Sequence, residues 1–233
     1  MNEQKKVVNV GVLALQGSFR EHLSHLENLF KELAENSDYS KYEFKACKVK
    51  AKKDLDSLNG IIICGGESTT MTILLQRTKI LNTLREMITR RHLPAWGTCC
   101  GLILLSNHIE NNKSKILGDL TYECIGGLDV TVSRNSFGRQ LESFTETIDL
   151  TEATNHQIKR FEGVFIRAPT ITTIDGNDGT KILATVTRNE HTYVVGAMNR
   201  TVLGTSFHPE LVDGDYRFHK WFLDKFILKN LDL

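Results

Sequence analysis

The chain has 233 residues, enough to bury a substantial core, and its 29 lysines and arginines almost cancel its 28 aspartates and glutamates. A net charge of +1 gives no electrostatic reason to expect nucleic acid or an anionic membrane as partner. Five cysteines, at 47, 64, 99, 100 and 124, fit a reducing compartment better than a disulfide framework, and without a C-x-x-C pair they give no local support for a metal site. The opening Met1-Asn2-Glu3-Gln4-Lys5-Lys6 is polar and lacks the apolar stretch of a signal peptide or membrane span. The expectation is a cytoplasmic chain folded as one domain over 1–233.

In chain order, Val7 to Leu15 is β-branched and nearly continuously apolar, as a parallel strand covered on both faces should be. Gln16-Gly17 turns the chain, and Ser18-Phe19-Arg20-Glu21 has the spacing of a capping box. Leu23, Leu26, Phe30 and Leu33 then predict an amphipathic helix. From Glu35 to Lys53 the chain is polar and lysine-rich around a weak strand, Phe44 to Val49, and its polar part reads as a solvated surface loop. Ile61 to Cys64 is a short buried strand ending in Gly65-Gly66-Glu67-Ser68-Thr69-Thr70. Two glycines there let backbone amides approach a ligand. The plainer reading is a strand-to-helix turn, with Glu67, Ser68 and Thr69 capping a helix through Leu75. Four strand-like runs follow at 128–132, 144–148, 163–166 and 182–186, then a hairpin-like pair, 192–198 and 202–207. A closing helix, Tyr216 to Leu228, carries Phe218, Trp221, Phe222 and Ile227.

Chemistry concentrates in two short stretches. Gly97-Thr98-Cys99-Cys100-Gly101 lies between the apolar run Leu93 to Trp96 and the helix-like Leu102 to Leu105. Glycines on both sides permit a sharp corner that leaves Cys99 at the tip, a nucleophile elbow with sulfur in place of oxygen. Adjacent cysteines beside an apolar run are equally well read as core. The second stretch, Ser206-Phe207-His208-Pro209-Glu210, supplies what would decide between them. Residues two apart on an extended segment share a side, so Glu210 can orient the His208 ring, and thiol, imidazole and carboxylate form a triad for acyl transfer. The other histidines, including His22, His25 and His219, have no such carboxylate after a buried strand and receive no role.

Together with Gly11 to Gly17, Arg134-Asn135-Ser136-Phe137-Gly138-Arg139-Gln140 and Ile166-Arg167-Ala168-Pro169, these motifs resemble, in order and over nearly the whole chain, the glutaminase subunits of pyridoxal 5′-phosphate synthase. The cysteine elbow and His-Pro-Glu segment are common to class I glutamine amidotransferases. The Gly-Gly-Glu-Ser-Thr-Thr and Arg-Asn-Ser-Phe-Gly-Arg-Gln runs narrow the likeness to this branch. The resemblance implies an α/β fold with a three-layer open mixed sheet, flavodoxin-like, of the class I glutamine amidotransferase type. It implies that Cys99, His208 and Glu210 hydrolyse L-glutamine through a glutamyl thioester. The amide of Cys100 and one from the Gly65-Gly66 turn would stabilise the oxyanion once that turn is flipped into place. Glu67, Ser68, Arg134, Ile166 and Arg167 would meet the substrate, a guanidinium suiting its carboxylate.

No cofactor or metal is implied. The implied partner is a (βα)8-barrel synthase subunit that takes the ammonia, in a large hetero-oligomer, with Gln16 in the region facing it. Two departures stand out. Cys100 replaces the family's usual alanine, a small side chain that leaves Cys99 at the tip as the preferred nucleophile, and the 35–53 segment is longer than usual. Other readings with the same motifs are the glutaminase subunit of another amidotransferase, a cysteine hydrolase of this fold, and a catalytically quiet regulatory subunit.

Overall fold

The computed structural model describes residues 4–110, 122–134 and 143–231. Its first half alternates strand and helix: β1 (Lys6–Leu13), α1 (Phe19–Ala34), β2 (Tyr42–Val49), β3 (Gly60–Ile63), α2 (Ser68–Arg77), α3 (Leu81–Thr89), β4 (Ala95–Thr98) and α4 (Cys100–Leu105). Strands then dominate: β5 (Ser106–Ile109), β6 (Leu128–Ser133), β7 (Ser143–Asp149), β8 (Arg160–Ile166), β9 (Thr170–Ile174), β10 (Lys181–Arg188), β11 (His191–Met198) and β12 (Val202–Thr205). The chain closes with α5 (Arg217–Phe222), which continues as π-type turns over Leu223–Leu228. Among the described residues no helix is long and apolar enough to cross a membrane.

The main sheet runs β2-β1-β3-β4-β12-β11-β9-β6-β5, with β10 paired to β11, and β7 and β8 form a separate antiparallel ribbon. Its first five strands are parallel. From β12 to β6 neighbours run antiparallel. Period-two alternation divides the apolar residues between two helical layers. Val8, Val10, Val12, Ile62 and Trp96 pack with Leu23, Leu26 and Leu29 of α1 and with Phe218 and Phe222 of α5. Ile61, Ile63 and Ala95 pack the other way, with Met71 and Leu75 of α2, Leu84 and Ile88 of α3, and Leu102 and Leu105 of α4. Each valine, leucine, isoleucine, methionine or phenylalanine among them contributes about 1.5–3 kcal/mol on burial. The sheet is therefore sandwiched, and β1, β3, β4 and β12 end at one edge, where an open α/β sheet leaves a crevice.

Three expectations change. In the 35–53 segment the weak strand is two residues longer than read and the polar part before it is tied down. The segment supplies β2, which pairs with β1 over eight positions, and a turn pinned to the C-terminal helical segment, where the Tyr39 hydroxyl meets Asp224 at 2.9 Å and accepts from Lys220 at 2.6 Å. The elements α3, β5 and β9 join those read from the sequence. The capping box is absent: Ser18 makes no side-chain cap, because its hydroxyl donates to Glu210 instead.

Candidate active site

β4 ends at the elbow. Cys99 has φ 48° and ψ −101°, a strained conformation for a residue with a Cβ, and its N–H donates to Thr205 O at 2.7 Å across the β4–β12 pair. The flanking glycines are required by close approach. A Cβ on Gly101 would lie 1.9 Å from Ile63 O, and one on Gly97 would lie 2.3 Å from the carbonyl carbon of Gly101. The following residue, Cys100, opens α4 and is buried in the second core layer. Burial, followed by the neighbouring Cys99 and Cys64 sulfurs, pushes its thiol well above the ordinary range. The structure thus separates the two sulfurs, one at a strained tip and one in a packed helix.

β12 delivers the imidazole and the carboxylate. His208 Nδ1 lies 2.7 Å from Glu210 Oε1, which leaves Nε2 as the ring nitrogen available to sulfur. Burial disfavours the imidazolium, but hydrogen bonding to Cys99 and to Glu210 outweighs it and lifts His208 to about 10. Burial likewise works against the Glu210 carboxylate, yet His22, His208 and the Ser18 hydroxyl hold it down at about 2. Ser18 donates to the same Oε1 at 2.6 Å. The Cys99 thiol also reaches Ile166 O at 3.8 Å.

A cavity of about 660 Å³ opens over the sulfur. Its wall includes Cys99, His208 and Cys100, together with Gly65, Gly66, Glu67, Ser68, Arg134, Ile166 and Arg167. Ten of the sequence-derived site residues therefore converge on one opening, and Glu210 sits beneath them, buried. The rest of the Arg134 motif, residues 135–140, lies outside the described residues.

The Gly65-Gly66 turn stands in an unflipped arrangement. The Gly65 N–H does not face the cavity as an oxyanion donor; it donates to Thr98 Oγ1 at 3.0 Å, and Gly65 O accepts from Ser18 N at 3.1 Å. Gln16 folds onto this turn, its Oε1 accepting from Glu67 N at 3.0 Å. The Glu67 side chain caps α2 as the plainer reading had it, accepting from Thr69 N at 2.9 Å and Thr70 N at 2.7 Å. Among the described residues no group of three histidines, cysteines or carboxylates could hold a metal ion.

A scan against family models matches residues 12–228 to the SNO glutamine amidotransferase family. The chain belongs to this amidotransferase family. It is 42% identical over 224 residues to pyridoxal 5′-phosphate synthase subunit SNO1 of Saccharomyces cerevisiae, covering 96% of this chain and 95% of that one. Against the pyridoxal 5′-phosphate synthase subunit PdxT of Staphylothermus marinus it is 40% identical over 222 residues, covering 95% and 100%. A crystal structure of a glutamine amidotransferase superposes with a TM-score of 0.73 at 35% identity, covering 92% of this chain and 97% of that one.

Sequence reasoning missed two parts of this amidotransferase site. Tyr122 lines the cavity, its hydroxyl 2.7 Å from Thr69 Oγ1, and the Arg134 guanidinium stacks 4.0 Å from its ring centroid. Nothing local marks that tyrosine. His22, given no role above, lies 3.3 Å from Glu210. Its signal was present: His22 and His25 fall on the apolar face of α1, among leucines that must be buried.

Proposed function

We propose that this family member hydrolyses L-glutamine to L-glutamate and ammonia, and that the ammonia serves a pyridoxal 5′-phosphate synthase. One observation carries the reading. A cysteine held at a strained elbow meets an imidazole that is itself bonded to a buried carboxylate, under a cavity with two arginines on its wall. Cys99 Sγ, its proton already handed to His208 Nε2 and held there, attacks the side-chain amide carbon and gives a tetrahedral adduct. His208 returns that proton to the departing nitrogen, the C–N bond breaks, and ammonia leaves behind a glutamyl thioester. Water, deprotonated by His208, then attacks the thioester; the C–S bond breaks, the proton returns to sulfur, and glutamate is released.

Glu210 orients the imidazole and balances its charge. The N–H of Cys100, at the start of α4, serves the developing oxyanion, and an amide of the Gly65-Gly66 turn joins it once the Thr98 bond is exchanged. Each donor is worth about 3 kcal/mol in the transition state. Arg134 and Arg167 take the substrate carboxylate, while Glu67, Ser68 and Ile166 shape the pocket. The partner we assign is a (βα)8-barrel synthase subunit in a large hetero-oligomer, contacting the Gln16 region, in the cytoplasm. The test is ammonia release from glutamine with and without that synthase. Turnover that rises with the synthase supports the reading. Hydrolysis of other amides or esters but not glutamine, or glutamine binding without turnover in either condition, would reject it.

A further inference from the structure

The contacts that hold Glu210 continue behind it into the core. Oε1 accepts both His208 and Ser18, whereas Oε2, equally buried, has no aligned hydrogen bond among the described residues. What faces Oε2 is His22 Nε2, at 3.3 Å. The same nitrogen lies 3.2 Å from Thr98 Oγ1, the oxygen that accepts the Gly65 N–H. On its other side His22 Nδ1 lies 2.9 Å from His219 Nε2.

The tautomers follow from what is left over. His219 Nδ1 is buried with no partner among the described residues. A buried N–H without an acceptor is costlier than a buried lone pair without a donor, so His219 carries its hydrogen on Nε2 and donates to His22 Nδ1. The hydrogen of His22 then sits on Nε2 and points at the Thr98 oxygen, with the carboxylate oxygen beside it at 3.3 Å. We propose that His22 is a positioning residue of the triad, its Nε2–H bonded to the Thr98 hydroxyl and the same positive edge of the ring facing the second oxygen of Glu210 at 3.3 Å, so that it fixes the acid and the Gly65 turn relative to each other.

The groups facing His22 are Glu210 and His208 from the segment after β12, His219 from α5, and His25 and Glu21 from α1. Burial dominates and lowers His22 to about 4 despite Glu210. Burial, followed by His22 and His25, puts His219 well below its ordinary value. His22 therefore acts as a neutral dipole at working pH. A cation there would compete with His208 for the carboxylate; a neutral donor aligns Glu210 and leaves its charge to the catalytic imidazole.

The proposal rests on the reading of His208 and Glu210 given above, and its test separates the two. His22→Asn keeps a polar group near the Nδ1 position but ends short of Glu210, whereas His22→Gln extends an amide N–H to the Nε2 position. In the full chain, the His208 titration is followed by 15N NMR and glutamine hydrolysis is measured with the synthase present. His22→Asn is expected to lower the His208 midpoint by about one unit and kcat about tenfold, with KM nearly unchanged; His22→Gln is expected to restore both. The wild-type spectrum gives a variant-free check, a neutral Nε2–H tautomer for His22. A wild-type His208 midpoint in His22→Asn, equal losses in both variants, or an Nδ1–H tautomer would overturn the proposal. A chain that never hydrolyses glutamine would sink the function, while the His208 midpoint still judges the clamp.

Discussion

Two turns at the same sheet edge, after β3 and after β4, are built alike and held differently. Both end parallel strands, contain glycine and start helices. The elbow after β4 stores backbone strain at Cys99, kept in place by close-packed glycines and a 2.7 Å bond to Thr205. The turn after β3 is held by exchangeable hydrogen bonds to Thr98, Ser18 and Gln16. The nucleophile we propose must be presented in one place, so rigidity suits it. Amides that serve only the transition state can be held aside until needed, and a network of hydrogen bonds is a lower barrier to cross than a repacked core.

The largest test of that contrast is at the elbow. Cys99→Ala is expected to reduce glutamine hydrolysis by at least about 10³-fold, with unchanged circular dichroism, whereas Cys100→Ala stays within about threefold. The opposite pattern would move the chemistry onto the helix. In the other turn, a Cβ at Gly65 would fall 2.3 Å from His208 Cε1. Gly65→Ala should therefore displace the imidazole and lower kcat by about 10²-fold with a smaller effect on KM; equal kcat would show that the turn has room.

The first-ranked features were readable because they are local. The elbow needs five consecutive residues, and His208 and Glu210 are two apart on a strand end, so type and spacing nearly determine them. The buried parallel strands were equally plain, since β3 and β4 are apolar on both faces. What escaped depends on distant partners. Ser18 looked like a helix cap until Glu210, 192 positions away, claimed its hydroxyl. His22 lay on a correctly read helical face, but its neighbours Thr98, His219 and Glu210 come from three other segments. β9 is five residues long and three of them are threonine, so no apolar run marks it.

Smaller effects sharpen the contrast further. His208 lies above its ordinary value of 6.5, at about 10, so the folded chain keeps a proton that the unfolded chain has lost between those limits. The stability from this contact is complete below pH 6.5 and is lost as pH rises through 10. Thermal unfolding should show a decline on the order of 5 °C across that window, absent in His208→Gln. An equal slope in both proteins would place the titration elsewhere. Least of all, Glu67→Ala removes the cap of α2 and should cost about 1 kcal/mol in denaturant unfolding. No loss would mean that the carboxylate is held in the pocket for substrate rather than for the helix.

The most direct measurement is covalent capture by a glutamine-analogue diazoketone, followed by peptide mass mapping. One adduct is expected, on Cys99, suppressed by excess glutamine and greatly slowed in His208→Ala. An adduct on Cys100, or labelling of Cys99 at the wild-type rate without the His208 imidazole, would contradict the proposed chemistry.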